Sequence, residues 1–300
     1  MDAAPPLLLH FADQAAPAGR LAAELGLRCA TIETRRFPDG ETLLRLPVPV
    51  PTRVLLFCAL DAPDARLVEL MLAACTAREH RVAHLTLVAP YLCYMRQDMA
   101  FRPGEAVSQR IVGGFLGGLF DAVVTVDPHL HRIERLDQAV VGGARAIALT
   151  AAAELGAFVA RTVPGAVLVG PDEESSQWVA TMAEHAGLEH AVFVKTRHGD
   201  REVDVVADGG PALAGRAVVL VDDIASSGRT LLQAARVCRD AGAVSVDAVV
   251  THALCRGEDL ALLHAGGVGR LWSTDALPHA GNVVALAPLL ARGLRGHGLA

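Results

Sequence analysis

Residues 217–230 read AVVLVDDIASSGRT, an apolar run that ends in two adjacent carboxylates and a turn of small residues. The run AVVLV is short, β-branched and continuously apolar, which is the pattern of a parallel strand covered on both faces. Asp222 and Asp223 follow at its carboxyl end, the edge at which open α/β sheets bind ligands. Ser226, Ser227 and Gly228 can wrap N–H groups and hydroxyls around a phosphate. A helix is expected to begin near Thr230, just past Arg229, and it directs the positive end of its dipole at the same point. The paired carboxylates are expected to accept hydrogen bonds from sugar hydroxyls. Taken alone, the stretch reads equally well as a strand-to-helix turn with solvated acids and a Ser cap, so the rest of the chain has to decide.

Outward from this stretch, short apolar runs alternate with Ala- and Leu-rich amphipathic segments, an α/β pattern. LLLHFA, CATIE, TRVLLFCAL, VAHLTLVAPY and AVVTVDPH read as strands of a first half. GAVLVGPD, HAVFVKTR, AVVLVDDI, VSVDAVVTHAL and GRLWSTDAL read as strands of a second. Helices are expected over residues 15–25, 65–80, 107–119, 175–186 and 230–241. An Ala- and Gly-rich stretch at 142–150 places the junction there, giving domains 1–145 and 146–300. The halves share no residue-level repeat, although one architecture can serve both. Residues 201–216, REVDVVADGGPALAGR, alternate and then break at Gly-Pro, the pattern of a hairpin or mobile flap.

Composition narrows the function. With 300 residues, 52% hydrophobic and 20% charged, the chain can bury two substantial cores. A net charge of −6 argues against a protein built to grip nucleic acid, so an anionic substrate needs a local site. The six cysteines show no CxxC spacing and mostly sit in apolar runs, which reads as reduced thiols in the cytoplasm. The start, MDAAPPLLLHFADQ, lacks the basic region of a signal peptide. No segment approaches the roughly 18 apolar residues of a membrane span; a soluble protein with no membrane partner is expected.

Further segments carry chemistry. Residues 35–41, RRFPDGE, contain Pro-Asp-Gly, in isolation only a turn signal. In APYLCYMRQDMAFRPGEAVSQRIVGGFL, from Ala89, Arg96 and Gln97 follow a strand and can hold phosphate and base. VDPHLH, residues 126–131, puts two histidines on an acid-bearing loop, but no third or fourth zinc ligand is evident nearby. VLVGPDEES ends a buried strand at Asp172, beside Glu173 and Glu174, where an acid-rich helix start is the structural alternative. Lys195 and Arg197 leave the strand VFVKTRHGD just before the suspected flap.

The DDIASSGRT turn resembles the phosphoribosyl-diphosphate (PRPP) motif of type I phosphoribosyltransferases and of ribose-phosphate diphosphokinases, the PRPP synthetases. The other segments, in this order, resemble the second of these families over nearly the whole chain. The resemblance implies two phosphoribosyltransferase-like domains, each a mainly parallel sheet flanked by helices. It implies conversion of ribose 5-phosphate and ATP to PRPP and AMP. The ATP site would comprise Phe37 against adenine, Asp39, Gly40 and Glu41 in a loop that reaches into a neighbouring subunit, and Arg96 with Gln97. His129, then Asp127, and Asp172 would hold Mg²⁺, although Mg²⁺ generally prefers oxygen. Lys195 and Arg197 match the family's catalytic pair. Arg197, Asp222, Asp223 and residues 226–230 would bind ribose 5-phosphate, and the active unit would be a homo-oligomer, a dimer or a multiple of one. THALCRGEDLALLHAGGVGRLWSTDALPH resembles the family's carboxyl-terminal Thr-His-x-Leu helix and Thr-Asp-x-x-Pro strand ending. These segments read as structural, with Thr274 and Asp275 placed where they could line the nucleotide side. The chain departs from the pattern at Met99, where many relatives carry a basic residue, and at Ser226, where relatives often carry an acid. A phosphoribosyltransferase that consumes PRPP would share only the 222–230 motif and needs neither the 37–41 loop nor a second α/β domain. A catalytically silent regulatory homologue is the third reading, against which the retained Lys195, Arg197, His129 and acidic pair argue.

Overall fold

The computed structural model describes the backbone of residues 5–198, 201–206 and 210–300, and the side chains of 5–194 and 210–300. The chain forms two compact units, Met1–Leu149 with Leu286–Ala300, and Thr150–Ala285. Each holds one seven-stranded sheet.

In the first unit the strands are β1 (Leu7–Phe11), β2 (Cys29–Arg36), β3 (Thr42–Arg45), β4 (Arg53–Phe57), β5 (His84–Ala89), β6 (Ala122–Val126) and β7 (Arg145–Leu149), in spatial order 3-2-1-4-5-6-7. Helices α1 (Ala15–Leu25), α2 (Pro63–Glu79) and α3 (Ser108–Leu119) connect them. The second unit contains α4 (Ala152–Thr162), β8 (Val167–Gly170), α5 (Ser176–Ala186), β9 (His190–His198), β10 (Arg201–Val206), β11 (Ala217–Ala225), α6 (Arg229–Asp240), β12 (Ser245–Ala253), α7 (Glu258–Ala265), β13 (Leu271–Thr274) and β14 (Asn282–Val284). Its order is 10-9-8-11-12-13-14, the first sheet's order shifted by seven. In both sheets one hairpin, β2–β3 or β9–β10, is antiparallel and every other pair is parallel. The Phe37 to Glu41 loop and the turn after Arg197 are therefore topological counterparts.

The inner strands are buried over most of their length, and LLLHF of β1 and AVVTV of β6 at every position, as expected where helices cover both faces. The β2–β3 ribbon is largely exposed and polar, with Arg45 Nε donating to Glu33 Oε2 at 2.9 Å across the ladder. On α3, Gly113 and Gly117 face backbone: a Cβ on either would collide with the carbonyl oxygen of Ala139 or Val141.

The junction lies at 149/150, but residues 286–300 do not stay with the second domain as the 146–300 division had them. They form α8 (Ala287–Gly296) and a tail that belong to the first unit. Ala287, Leu290, Ala291 and Leu294 bury one stripe of this helix, which packs on α1. Arg295 donates to the Glu24 carbonyl at 2.5 Å, and Arg145 and Arg53 donate to those of His297 and Gly298, each at 3.2 Å. The Thr251-His252-Ala253 segment ends strand β12, and the helix of that region starts only at Glu258. The six cysteines are free; Cys58, Cys93, Cys238 and Cys255 are buried, and burial pushes the Cys93 and Cys238 thiols up to about 12. No described helix is long and apolar enough to cross a membrane.

Candidate active site

In the second sheet β8 and β11 are neighbours, yet the chain leaves β8 toward β9 on one side and β11 toward β12 on the other. The carboxyl ends of β8 and β11 thus flank a topological switch point, where an open α/β sheet leaves a crevice. Asp172 stands just after β8. Asp222 and Asp223 lie inside β11, which runs on through them to Ala225 instead of ending before them. Asp223 is buried. Burial foremost, then the charges of Asp223 and Asp172, pushes the Asp222 carboxyl well above its ordinary value, against the opposing effect of the Asp223 N–H that it accepts at 3.0 Å. Asp172 also serves the local turn, Oδ1 accepting the Ser175 N–H at 3.2 Å while Ser175 Oγ donates to the Asp172 carbonyl at 2.6 Å.

That crowding has a measurable sign. Because the folded pKa of Asp222 exceeds the unfolded value of about 3.9, this group's contribution favours the fold at low pH and is lost as pH rises through the folded value. Asp222→Asn keeps an oxygen to accept the Asp223 N–H. It is expected to melt above the wild type at pH 8, with the difference shrinking toward pH 4. Thermal melts across that range check it; a lower melting temperature at pH 8 would show that the three carboxylates are not in conflict.

Beyond Ala225 the chain bends through half-buried Ser226 and exposed Ser227 to Gly228, whose φ of +69° is left-handed. A Cβ there would also press on the Leu263 side chain, so glycine suits both backbone and packing. Helix α6 begins at Arg229, one residue earlier than expected, with no side-chain cap on its N-terminus. Arg229 and Thr230 are exposed beside it. Turn, hydroxyls and helix end together suit an anion.

Lys195 and Arg197 sit two residues apart on β9, opposite Asp204 and Glu202 of β10; their side chains lie outside the described residues. The expected flap contributes β10 to an antiparallel hairpin, and its residues 207–209, like 199–200 at the turn, lie outside the described residues as well.

In the first unit, residues 37–41 form a tight exposed turn. Gly40 N donates to the Phe37 carbonyl at 2.9 Å, Phe37 N to that of Glu41 at 2.8 Å, and Glu41 N to Asp39 Oδ1 at 3.1 Å. Gly40 has a φ of +93°, and the Arg35 guanidinium lies 5.0 Å from the Phe37 ring centre. Tyr91, Tyr94, Arg96 and Gln97 line an open pocket of about 400 Å³ after β5. Gln97 turns its amide onto the Met99 carbonyl at 2.9 Å. After β6, Asp127 is buried with a left-handed φ of 38°, and the His129 ring lies 6.3 Å from that of His131. The first sheet's own switch point, between β1 and β4, is filled: buried Gln14 donates to the Ala59 carbonyl at 2.9 Å and accepts its N–H at 2.7 Å.

The family description for the N-terminal domain of ribose phosphate pyrophosphokinase matches residues 8–118, and that for the phosphoribosyl transferase domain matches residues 147–261. The ribose-phosphate pyrophosphokinase of Methanopyrus kandleri is 35% identical, over 91% of this chain and 92% of its own. The chain belongs to the ribose-phosphate pyrophosphokinase family. The Methanosarcina acetivorans pyrophosphokinase is 32% identical over 93% and 95% of the two chains. The crystal structure of phosphoribosylpyrophosphate synthetase from Mycobacterium smegmatis, 23% identical, shares the fold with a TM-score of 0.82 over 98% and 99% of the chains.

Two residues of this pyrophosphokinase-family chain escaped the sequence reading. Gln109, 1% exposed at the start of α3, donates from Nε2 to the Met95 carbonyl at 3.1 Å and from its backbone N to that of Gln97 at 3.2 Å, bracing the Arg96 loop. Asp98 has a side chain only 5% exposed and ion-pairs with His131 and Arg132. A polar residue at a helix start and an acid after Arg-Gln carry no local signal of burial. Thr274 is buried, its Oγ1 donating to the Thr251 carbonyl at 2.7 Å, and the Asp275 backbone N–H donates to the Val284 carbonyl at 2.9 Å.

Proposed function

We propose that this chain transfers the diphosphoryl group of ATP to the 1-hydroxyl of ribose 5-phosphate, giving PRPP and AMP. The observation that carries the reading is the juxtaposition at the β8/β11 switch point of three carboxylates with a glycine-hinged, uncapped helix start. That pairing suits a sugar phosphate, the acids accepting from the ribose hydroxyls and residues 226–230 holding the 5-phosphate. The anomeric oxygen attacks the β-phosphorus in line. The bond from that phosphorus to the oxygen it shares with the α-phosphorus breaks, and its electron pair leaves with AMP. Negative charge spreads over the moving group, so cations placed in advance supply the catalysis. Lys195, Arg197 and Arg96 take this role, while Phe37, Asp39, Gly40, Glu41 and Gln97 hold the nucleotide. The hairpin after Arg197 is the element that would exclude water. With Ser226 in the loop, no general base is assigned there.

Magnesium fits the donor set. Burial first, and then the charges of Asp223 and Asp172, raise Asp222, which favours a hard divalent cation beside it, while no group of three or more His, Cys, Asp or Glu side chains among the described residues is placed to hold a metal by itself. Mg²⁺ suits such a site because it keeps waters and substrate phosphates among its ligands. Asp172 would hold it in the second unit, and His129 with Asp127 in the first; when bound, it supplies neutralisation of phosphate charge.

Incubation with ATP, ribose 5-phosphate and Mg²⁺, followed by phosphorus NMR, tests the reading. Matched AMP and PRPP signals support it, diphosphate release that depends on an added nucleobase and PRPP would favour a phosphoribosyltransferase, and neither would favour a silent homologue. The cytoplasm and a homo-oligomer sharing the 37–41 loop between subunits complete the proposal. Mixing inactive Asp39→Ala chains with inactive Lys195→Ala chains should then restore part of the activity. No recovery after demonstrated subunit exchange would sink the shared site.

A further inference from the structure

Asp98 follows Arg96 and Gln97 directly, and its carboxylate is 95% enclosed, 5% of the side chain remaining exposed. Its ion-pair partners come from a different segment, the one after β6: His131 Nδ1 lies 3.5 Å from Oδ2 and Arg132 Nε lies 3.4 Å from Oδ1. Oδ2 makes no hydrogen bond. A surface ion pair would contribute little, and Arg132 by itself, 45% exposed, would be one. The buried carboxylate changes this, because withdrawing its partners leaves a desolvated charge without compensation. The charge is satisfied only while the segment at 96–98 and the segment at 129–132 keep their present spacing.

We propose that Asp98 is a positioning residue, a latch that fixes the Arg96–Gln97 loop against the His129 loop so that both face one nucleotide in a fixed geometry. The inference rests on the reading that the first of these loops binds ATP and the second holds its Mg²⁺. Arg132 is the latch's permanent cation, and the two residues act as one unit.

A double-mutant cycle tests it on the full-length protein. Asp98→Asn, Arg132→Gln and the double variant are titrated with ATP and Mg²⁺ by calorimetry, and separately with ribose 5-phosphate. Each single change is expected to weaken ATP about tenfold, and the double change no more than either single one, since the second removes a partner already lost. Arg132→Lys should recover part of the loss, and ribose 5-phosphate affinity should stay within twofold throughout. Hydrogen exchange without nucleotide reads the latch independently of binding: amides of 91–99 and of 127–132 should exchange faster together in either single variant. Unchanged exchange, or ATP losses that multiply in the double variant, would overturn the latch. A wild type that binds no ATP while the two loops still loosen together would instead overturn the functional reading and leave the latch standing.

Discussion

Lys195→Ala is expected to lower turnover on the order of 10² to 10³-fold, about 2.7–4 kcal/mol of barrier, while ribose 5-phosphate affinity moves no more than a few fold. Lys195 stands on β9, beside β8 in the sheet and paired with Asp204 of the hairpin. A position on a paired strand suits a group that must be in place before charge develops. In the proposed role its ammonium meets charge that grows only in the transition state, so its removal acts on kcat and kcat/KM together and not on ground-state binding. Steady-state kinetics with calorimetric titration of the purified, folded variant separate the two. Near-normal turnover would remove Lys195 from the chemistry. A matched loss in ribose 5-phosphate affinity would make it a binding residue.

Gly117→Ala is expected to destabilise the first unit by about 3 kcal/mol or more, although alanine is the better helix former by about 1 kcal/mol. The sign is decided by what faces the helix. Gly117 meets the Val141 carbonyl so closely that a methyl group has no room, and both parties are backbone, so neither can rotate away. Gly142, with a φ of +113°, packs back against the Gly117 to Gly118 peptide and holds the segment there. Gly118, next along the same helix, is the control, since a Cβ there meets nothing within 4 Å. Gly118→Ala should be neutral or slightly stabilising. Urea unfolding of the two variants compares them directly, and equal midpoints would mean that α3 can lift off the 139–142 segment at little cost.

These two experiments touch different layers of information. Ten strands and five helices were legible because burial on both faces writes itself as an apolar run, and burial on one face as a helical stripe. The short strands β3, β7 and β14, half polar or exposed, carry no such signature. The motifs of the candidate site stand out for a similar reason, since a phosphate cradle would need small residues and a helix start in immediate succession, and a turn such as 37–41 is built from its own hydrogen bonds.

By itself, then, the sequence determined the ten strands and five helices with a clear apolar pattern, the α/β class and the family. The tertiary structure alone decided that Asp172 joins Asp222 and Asp223 across neighbouring strands, that Gln14 fills the first sheet's matching crevice, that Asp98 faces His131 and Arg132, and that α8 returns to the first unit. The physical reason is range. A run of side chains reports the environment it needs, apolar or wet, whereas the identity of the neighbour that supplies it is settled by strand order and chain crossings tens of residues away, where many partners would satisfy the same local pattern.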